Sequence, residues 1–181
     1  ADDNGINLVD KRFETYPYTI EILLNSMRPT WQEDNSYFDK MFFESVEIAK
    51  VILGREIVHA RSELEAKKIL MKVYNKSEDK NILILENDFT HHRIFDDLAE
   101  TYFVLYPRRS DGAWTVRTVR KGYKTFENKK DLPKEWGGLR GAELEQVTGV
   151  SGALFCHRAL FMAVAKNKEA AIKLAELALE N

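Results

Sequence analysis

The stretch that most constrains the fold runs Gly149-Val150-Ser151-Gly152-Ala153-Leu154-Phe155-Cys156-His157 and leads into the last helix-like segment. Ala153 to His157 is too short and too closely flanked by glycine to be helical. Each glycine weakens a helix and supplies turn geometry, so the run reads as a buried strand with a histidine at its end. Residues 159–164 can form a second short extended run. Asn167 then suits an N-cap, and Ile172, Leu174, Ala175, Ala178 and Leu179 place one apolar face on the helix that follows. A buried strand followed by an amphipathic helix calls for an α/β architecture in which that helix packs on a sheet. A helix N-terminus aimed at strand ends favours anions, but every strand-to-helix unit has these parts, so the signal is weak alone.

The chain is long enough, at 181 residues and 44% hydrophobic, to bury a core. Its 27 basic and 29 acidic residues balance to a net charge of −2, which argues against binding nucleic acid by bulk charge and leaves local basic clusters as the only electrostatic route. One cysteine, Cys156, excludes an internal disulfide and suits a reducing, intracellular compartment; cytoplasm, nucleus and mitochondrion are not distinguished. No apolar run approaches the length of a membrane span, so no membrane partner is expected. Ala1-Asp2-Asp3-Asn4-Gly5 is not an initiator sequence and reads as a cut within a longer protein.

Residues 1–75 read as helical. Ile20, Leu23, Leu24 and Met27 recur at helical spacing until Arg28-Pro29, and Trp31 reads as a core or inter-domain packing residue. From Ser36 a broad apolar stripe through Phe38, Met41, Phe42, Ile48, Ile52 and Leu53 calls for a cover. It continues past Gly54 to Leu70 and Val73 as one bent helix or two. Residues 76–181 read as a mixed sheet of roughly four or five strands with packed helices. Asn81 to Leu85 is a buried strand, and Thr101–Tyr106 with Trp114–Val119 forms a hairpin about the turn at Pro107–Gly112. Arg117, near Arg108, Arg109, Arg120 and Lys121, suits a phosphate clamp, since guanidinium forks match phosphate oxygens. The plainer reading is a charged, exposed sheet edge.

Asp88, His91 and His92 form the densest group of metal-ligand types. Adjacent histidines diverge on either a strand or a helix, and the spacing matches no structural zinc site, so an autonomous hydrolase built on these three lacks geometric support. Cys156 beside His157 invites a thiol-nucleophile reading, but consecutive strand residues face opposite sides.

Several short motifs occur in one order: Asp3-Asn4-Gly5; Pro29-Thr30-Trp31; Trp114-Thr115-Val116-Arg117; Phe126; Leu132-Pro133-Lys134-Glu135-Trp136-Gly137-Gly138-Leu139-Arg140; and Val150-Ser151-Gly152-Ala153-Leu154-Phe155-Cys156-His157. In these the chain resembles the C-terminal part of the melanocyte proliferating gene protein family, a branch of the DHH-type metal-dependent phosphoesterases described as 3′-to-5′ exoribonucleases. The resemblance covers essentially the whole chain. It implies that residues 76–181 are a DHH-associated, substrate-gripping C-terminal lobe and that residues 1–75 are linking helices with the edge of a catalytic domain. The catalytic motifs, and the manganese or magnesium they bind, would lie in an N-terminal domain. The resemblance gives His157 and Arg140 to substrate, with help from Arg117, and puts Asp3 at the edge of the metal site. RNA or a small nucleotide is the implied ligand. Where the family often has a glycine pair before the last helix, this chain has Ala163 and Val164, whose side chains would obstruct a phosphate there. The alternative is a non-catalytic structural or oligomerising domain that packs on the N-terminal domain or a second copy, with His157 a satisfied core histidine.

Overall fold

The computed structural model describes residues 18–89, 92–122 and 125–181, with nothing said of the side chain of His92. The chain divides into two units, residues 1–60 and 61–181. In the first, α1 (Ile20–Asn25) starts at Thr19, whose hydroxyl accepts the N–H of Ile22. Arg28 and Pro29 follow as the chain leaves it. The question of one helix or two over the long stripe resolves as one: α2 spans Tyr37–Lys76, 40 residues. The stripe that calls for a cover is only partly covered within this unit: Phe38, Phe42 and Leu53 are exposed, while Met41, Ile48 and Ile52 are half-buried. Trp31 is 91% exposed, so it is not part of a core within this unit.

The second unit is a five-stranded mixed sheet in the order β1-β2-β3-β5-β4. Its strands are β1 (Ile82–Ile84), β2 (Phe103–Pro107), β3 (Trp114–Thr118), β4 (Ala153–Cys156) and β5 (Met162–Ala165). β1 runs parallel to β2, which requires a crossover; a 3-10 turn at His92–Asp97 lies within it. The other pairs are antiparallel. The predicted hairpin forms, but β3 is not an edge: it pairs with β2 on one side and β5 on the other, so the charged-edge reading of Arg117 fails.

Alternation gives the sheet two different faces. On the first, Phe103, Leu105, Val116, Ala153, Cys156, Ala163 and Ala165 pack with α3 (Gly141–Thr148) through Leu144 and with α4 (Lys168–Glu180) through Ala170, Ala171, Leu174, Ala175 and Ala178. Ile172 and Leu179 complete the α4 face, and Asn167 caps that helix by accepting the Ala170 N–H at 2.9 Å. On the second face, Val104, Tyr106, Leu83 and Val119 pack with Ala66, Leu70 and Tyr74 of α2 and with Ile94 and Phe95. Among the described residues this second cluster includes no residue of β4 or β5. The sheet is therefore covered on both faces over β1 and β2, and by helices on one face only over β5 and β4.

Gly137 and Gly54 make a paired test of backbone space. A Cβ at Gly137 would lie 3.1 Å from Leu160 Cδ2 and 3.2 Å from the Lys134 carbonyl oxygen, and that carbonyl is backbone that cannot swing aside. Gly137→Ala should lower stability by about 1–3 kcal/mol. Gly54 lies within α2 with nothing inside 4 Å, so Gly54→Ala should raise stability by about 0.5–1 kcal/mol. Urea unfolding of both variants checks the signs; a neutral Gly137→Ala would mean the loop gives way freely.

Candidate functional site

The half of the second face that no helix covers, around the buried Val164, carries the three residues that the sequence singled out for substrate. The loop from Trp136 to Gly141 is drawn along the free edge of β4. Gly138 donates its N–H to the Cys156 carbonyl at 3.0 Å, Cys156 donates to the Leu139 carbonyl at 3.1 Å, and Arg140 pairs with Phe155 in an isolated antiparallel bridge. The approach leaves little room for a Cβ at Gly137, while Gly138 has space for one but takes φ +86°, which favours glycine. Arg140 is consequently placed with its guanidinium carbon 4.7 Å from the centre of the Phe155 ring.

From Phe155 the contacts continue across the sheet. The Phe155 and His157 rings meet edge to face at 6.2 Å, and the His157 and Phe161 rings lie 4.4 Å apart, tilted by 47°. On the far side the Arg117 guanidinium sits 5.5 Å over Phe161. The result is a continuous band of arginine, three aromatic rings and arginine. Phe155, His157, Phe161 and Arg117 are half-buried and Arg140 is exposed. His157 is thus not a core histidine. Its Nδ1 accepts the Ala159 N–H at 3.0 Å, which in the neutral ring leaves the proton on Nε2. The turn is closed by Leu160 donating to the His157 carbonyl and His157 to the Met162 carbonyl, each at 2.8 Å. Leu160 takes φ +58°, a strained region for a residue with a side chain.

Arg117 stands at the border between the covered and open halves. Its neighbours there include Tyr106 and Asp96. Burial pushes the Tyr106 hydroxyl up to about 12 against the opposing pull of Arg117. Burial likewise raises the Asp96 carboxyl above the ordinary carboxylate value, although Arg120 and, more weakly, Arg117 pull it down. Its Oδ2 is buried without a hydrogen-bond partner. Arg120 in turn lies 4.9 Å over the ring of Phe126.

Phe155 and Phe161 were missed as site residues. The sequence showed the Phe-x-His pattern at 155–157, but which face each residue takes depends on a bulge opposite β5. Cys156 is fully buried and its thiol is pushed up to about 11, so it stays protonated near neutral pH and is a poor nucleophile. Ala163 and Val164 are buried in β5 opposite Val116 and Thr115, within the sheet rather than at the mouth of α4. At that mouth Asn167 already takes one N–H, and Lys168 binds Glu86 at 2.8 Å. Asp3 and His91 lie outside the described residues. Among the described residues no three His, Cys, Asp or Glu side chains are grouped to hold a metal ion, and no helix is long and apolar enough to cross a membrane. A groove of about 590 Å³ lies along the β1 edge and includes Asp79, Glu176 and Glu180. It contains none of the three predicted residues, and its acidic rim disfavours phosphate.

A model of the MYG1 exonuclease family, described as an uncharacterised protein family (UPF0160), matches residues 1–179. A MYG1 protein of Saccharomyces cerevisiae is 30% identical over 201 residues, covering 99% of this chain and 59% of the relative. A MYG1 protein of Schizosaccharomyces pombe is 28% identical over 193 residues, with coverage of 99% and 59%. The MYG1 exonuclease of Rattus norvegicus is 25% identical over 194 residues, with coverage of 99% and 51%. The chain thus spans only 51% to 59% of the length of these curated relatives. No solved structure matches.

The raised pKa of Asp96 makes a signed prediction. Because the folded state holds this proton more tightly than the unfolded chain does, the contribution is fully present below the ordinary value of 3.8 and is lost as pH rises through the folded pKa. Asp96→Asn is neutral throughout and serves as reference. The stability of the parent chain relative to this variant should fall with rising pH across that window in urea titrations; a flat or rising difference would contradict the burial argument.

Proposed function

The chain belongs to the MYG1 exonuclease family, and from that premise we propose that it forms the lobe of an exonuclease that grips a single-stranded nucleic acid end. In this reading an N-terminal DHH-type domain of the full-length protein does the cutting. That domain would hold the divalent ion, manganese or magnesium, which activates the attacking water. In this division of labour the part of this chain is to bind and orient the strand.

The observation that supports this reading is the band itself. Single strands are held where aromatic faces stack bases and basic groups follow the phosphates. Phe155 and Phe161 supply faces, with His157 between them. Arg140 and Arg117 stack on those rings, an arrangement that leaves their N–H edges to meet phosphate oxygens. The His157 ring, whose Nδ1 accepts from Ala159, adds an Nε2–H donor. Such a surface discriminates little between bases, as an exonuclease that must advance along a strand requires. Two local arginines also reconcile phosphate binding with a net charge of −2.

A second reading, a structural or oligomerising domain, draws on the first unit. There α1 and α2 enclose an apolar cleft of about 320 Å³ lined by Leu24, Met27, Pro29, Phe38, Met41 and Phe42. Packing against the N-terminal domain or a second copy would cover it, and this function is compatible with the first.

Fluorescence anisotropy with a labelled single-stranded RNA separates the two. Phe155→Ala should weaken binding by about 1–3 kcal/mol, the usual value of one stacked base. Arg140→Ala and Arg117→Ala should each weaken it and make the dependence of log affinity on log salt shallower by about 0.7. Melting temperatures report whether each variant is folded. With manganese supplied, the isolated chain should show no hydrolysis. No measurable RNA affinity, or affinity indifferent to all three folded variants, leaves the structural reading.

A further inference from the structure

The band as described ends at Arg117, yet a second arginine–aromatic pair lies just beyond it. Arg120 sits over Phe126 at 4.9 Å, and Phe126 is 87% exposed, the largest exposure of any phenylalanine among the described residues. An isolated exposed phenylalanine is unremarkable, but this one is fixed in place. Arg120 pairs with Asn128 in an isolated antiparallel bridge, and Lys121 donates its N–H to the Glu127 carbonyl at 2.9 Å. Asn128 also accepts the Thr118 hydroxyl at 2.8 Å, which ties the returning strand to β3. The ring is therefore presented to solvent by a pinned backbone.

The two pairs are neighbours in the chain. Arg120 follows three positions after Arg117, roughly 10 Å of extended backbone, and each guanidinium lies on its own aromatic ring.

We propose that Arg120 and Phe126 form a second stacking step for the strand gripped by the band, so that the ligand is a single-stranded oligonucleotide spanning both steps rather than a mono- or dinucleotide. This rests on the function proposed above. Phe126 would stack a base upstream of the end held at Phe155 and His157, and Arg120 would meet the adjoining phosphate.

Strand length separates this proposal from its premise. Affinities of the full chain are measured by competition for a mononucleotide, a dinucleotide, a hexanucleotide RNA and an abasic hexamer with the same phosphates. The hexanucleotide should bind at least tenfold more tightly than the dinucleotide, and the abasic hexamer should lose most of that gain. Phe126→Ala and Arg120→Ala should erase much of the length dependence, whereas Phe155→Ala weakens ligands of every length. Phe126→Trp should retain the gain. If Phe155→Ala weakens binding while Phe126→Ala and Arg120→Ala leave hexamer affinity unchanged, the second step is wrong and the gripping lobe stands. If none of the three matters, both readings fall. An abasic hexamer that binds as well as the intact strand also overturns the second step, since charge alone would then explain the length effect.

Discussion

Opposite Val164 and Ala165 of β5, the β4 strand carries one residue too many: Ala153 pairs with Ala165 and Phe155 pairs with Val164, leaving Leu154 as a bulge. A bulge shifts the side-chain alternation by one, and with period two a shift of one exchanges the faces. Strict alternation from the buried Ala153 would send Phe155 and His157 into the helix-covered core and turn Cys156 outward. With the bulge, Cys156 joins Ala153 in the core, while Phe155 and His157 emerge on the open face. The contacts from Arg140 through to Phe161 presuppose that exchange.

The open face in turn depends on how the helices divide the sheet. α4 presents Ala170, Ala171, Ala175 and Ala178, which let it lie close to the small Ala163 and Ala165 of β5, and the first face is fully occupied. On the second face the end of α2 and the turn at His92–Asp97 cover β1 and β2. Arg117 falls at the margin, where the aliphatic part of its side chain can remain among buried neighbours while the guanidinium reaches Phe161. Asp96 is half inside the same margin, which explains why burial outweighs two nearby arginines in setting its protonation.

Length and period made the strands and the final helix readable from the sequence, and local capping chemistry identified Asn167 correctly. The hairpin was readable because its two strands adjoin in the chain, but its central position was not. That depends on β5, far along the sequence, and without β5 the arginines of β3 look like the protection of an edge. The bulge was hidden for the same reason, since an extra residue is extra only against a partner. Arg140 and His157 stood out through motif resemblance, whereas the rings that join them, Phe155 and Phe161, could be placed only once register was known. In the first unit, apolar spacing identified a helix face correctly and could not tell what covers it.

The two places in this unit that present donors suited to a phosphate are not equivalent. The start of α4 has the favourable dipole of any helix, but Asn167 occupies one of its donors, and the adjacent Lys168 is engaged by Glu86 and lies over Trp114. The band offers guanidinium groups already ordered by stacking, so less side-chain freedom is lost when a phosphate arrives. It also offers aromatic faces, which the helix start lacks and which a nucleotide uses as much as its charge. A free phosphate ion could exploit either place. On the proposed function, a strand held at one end and then released for the next step is better served by many modest stacking and charge contacts than by a single deep anion site.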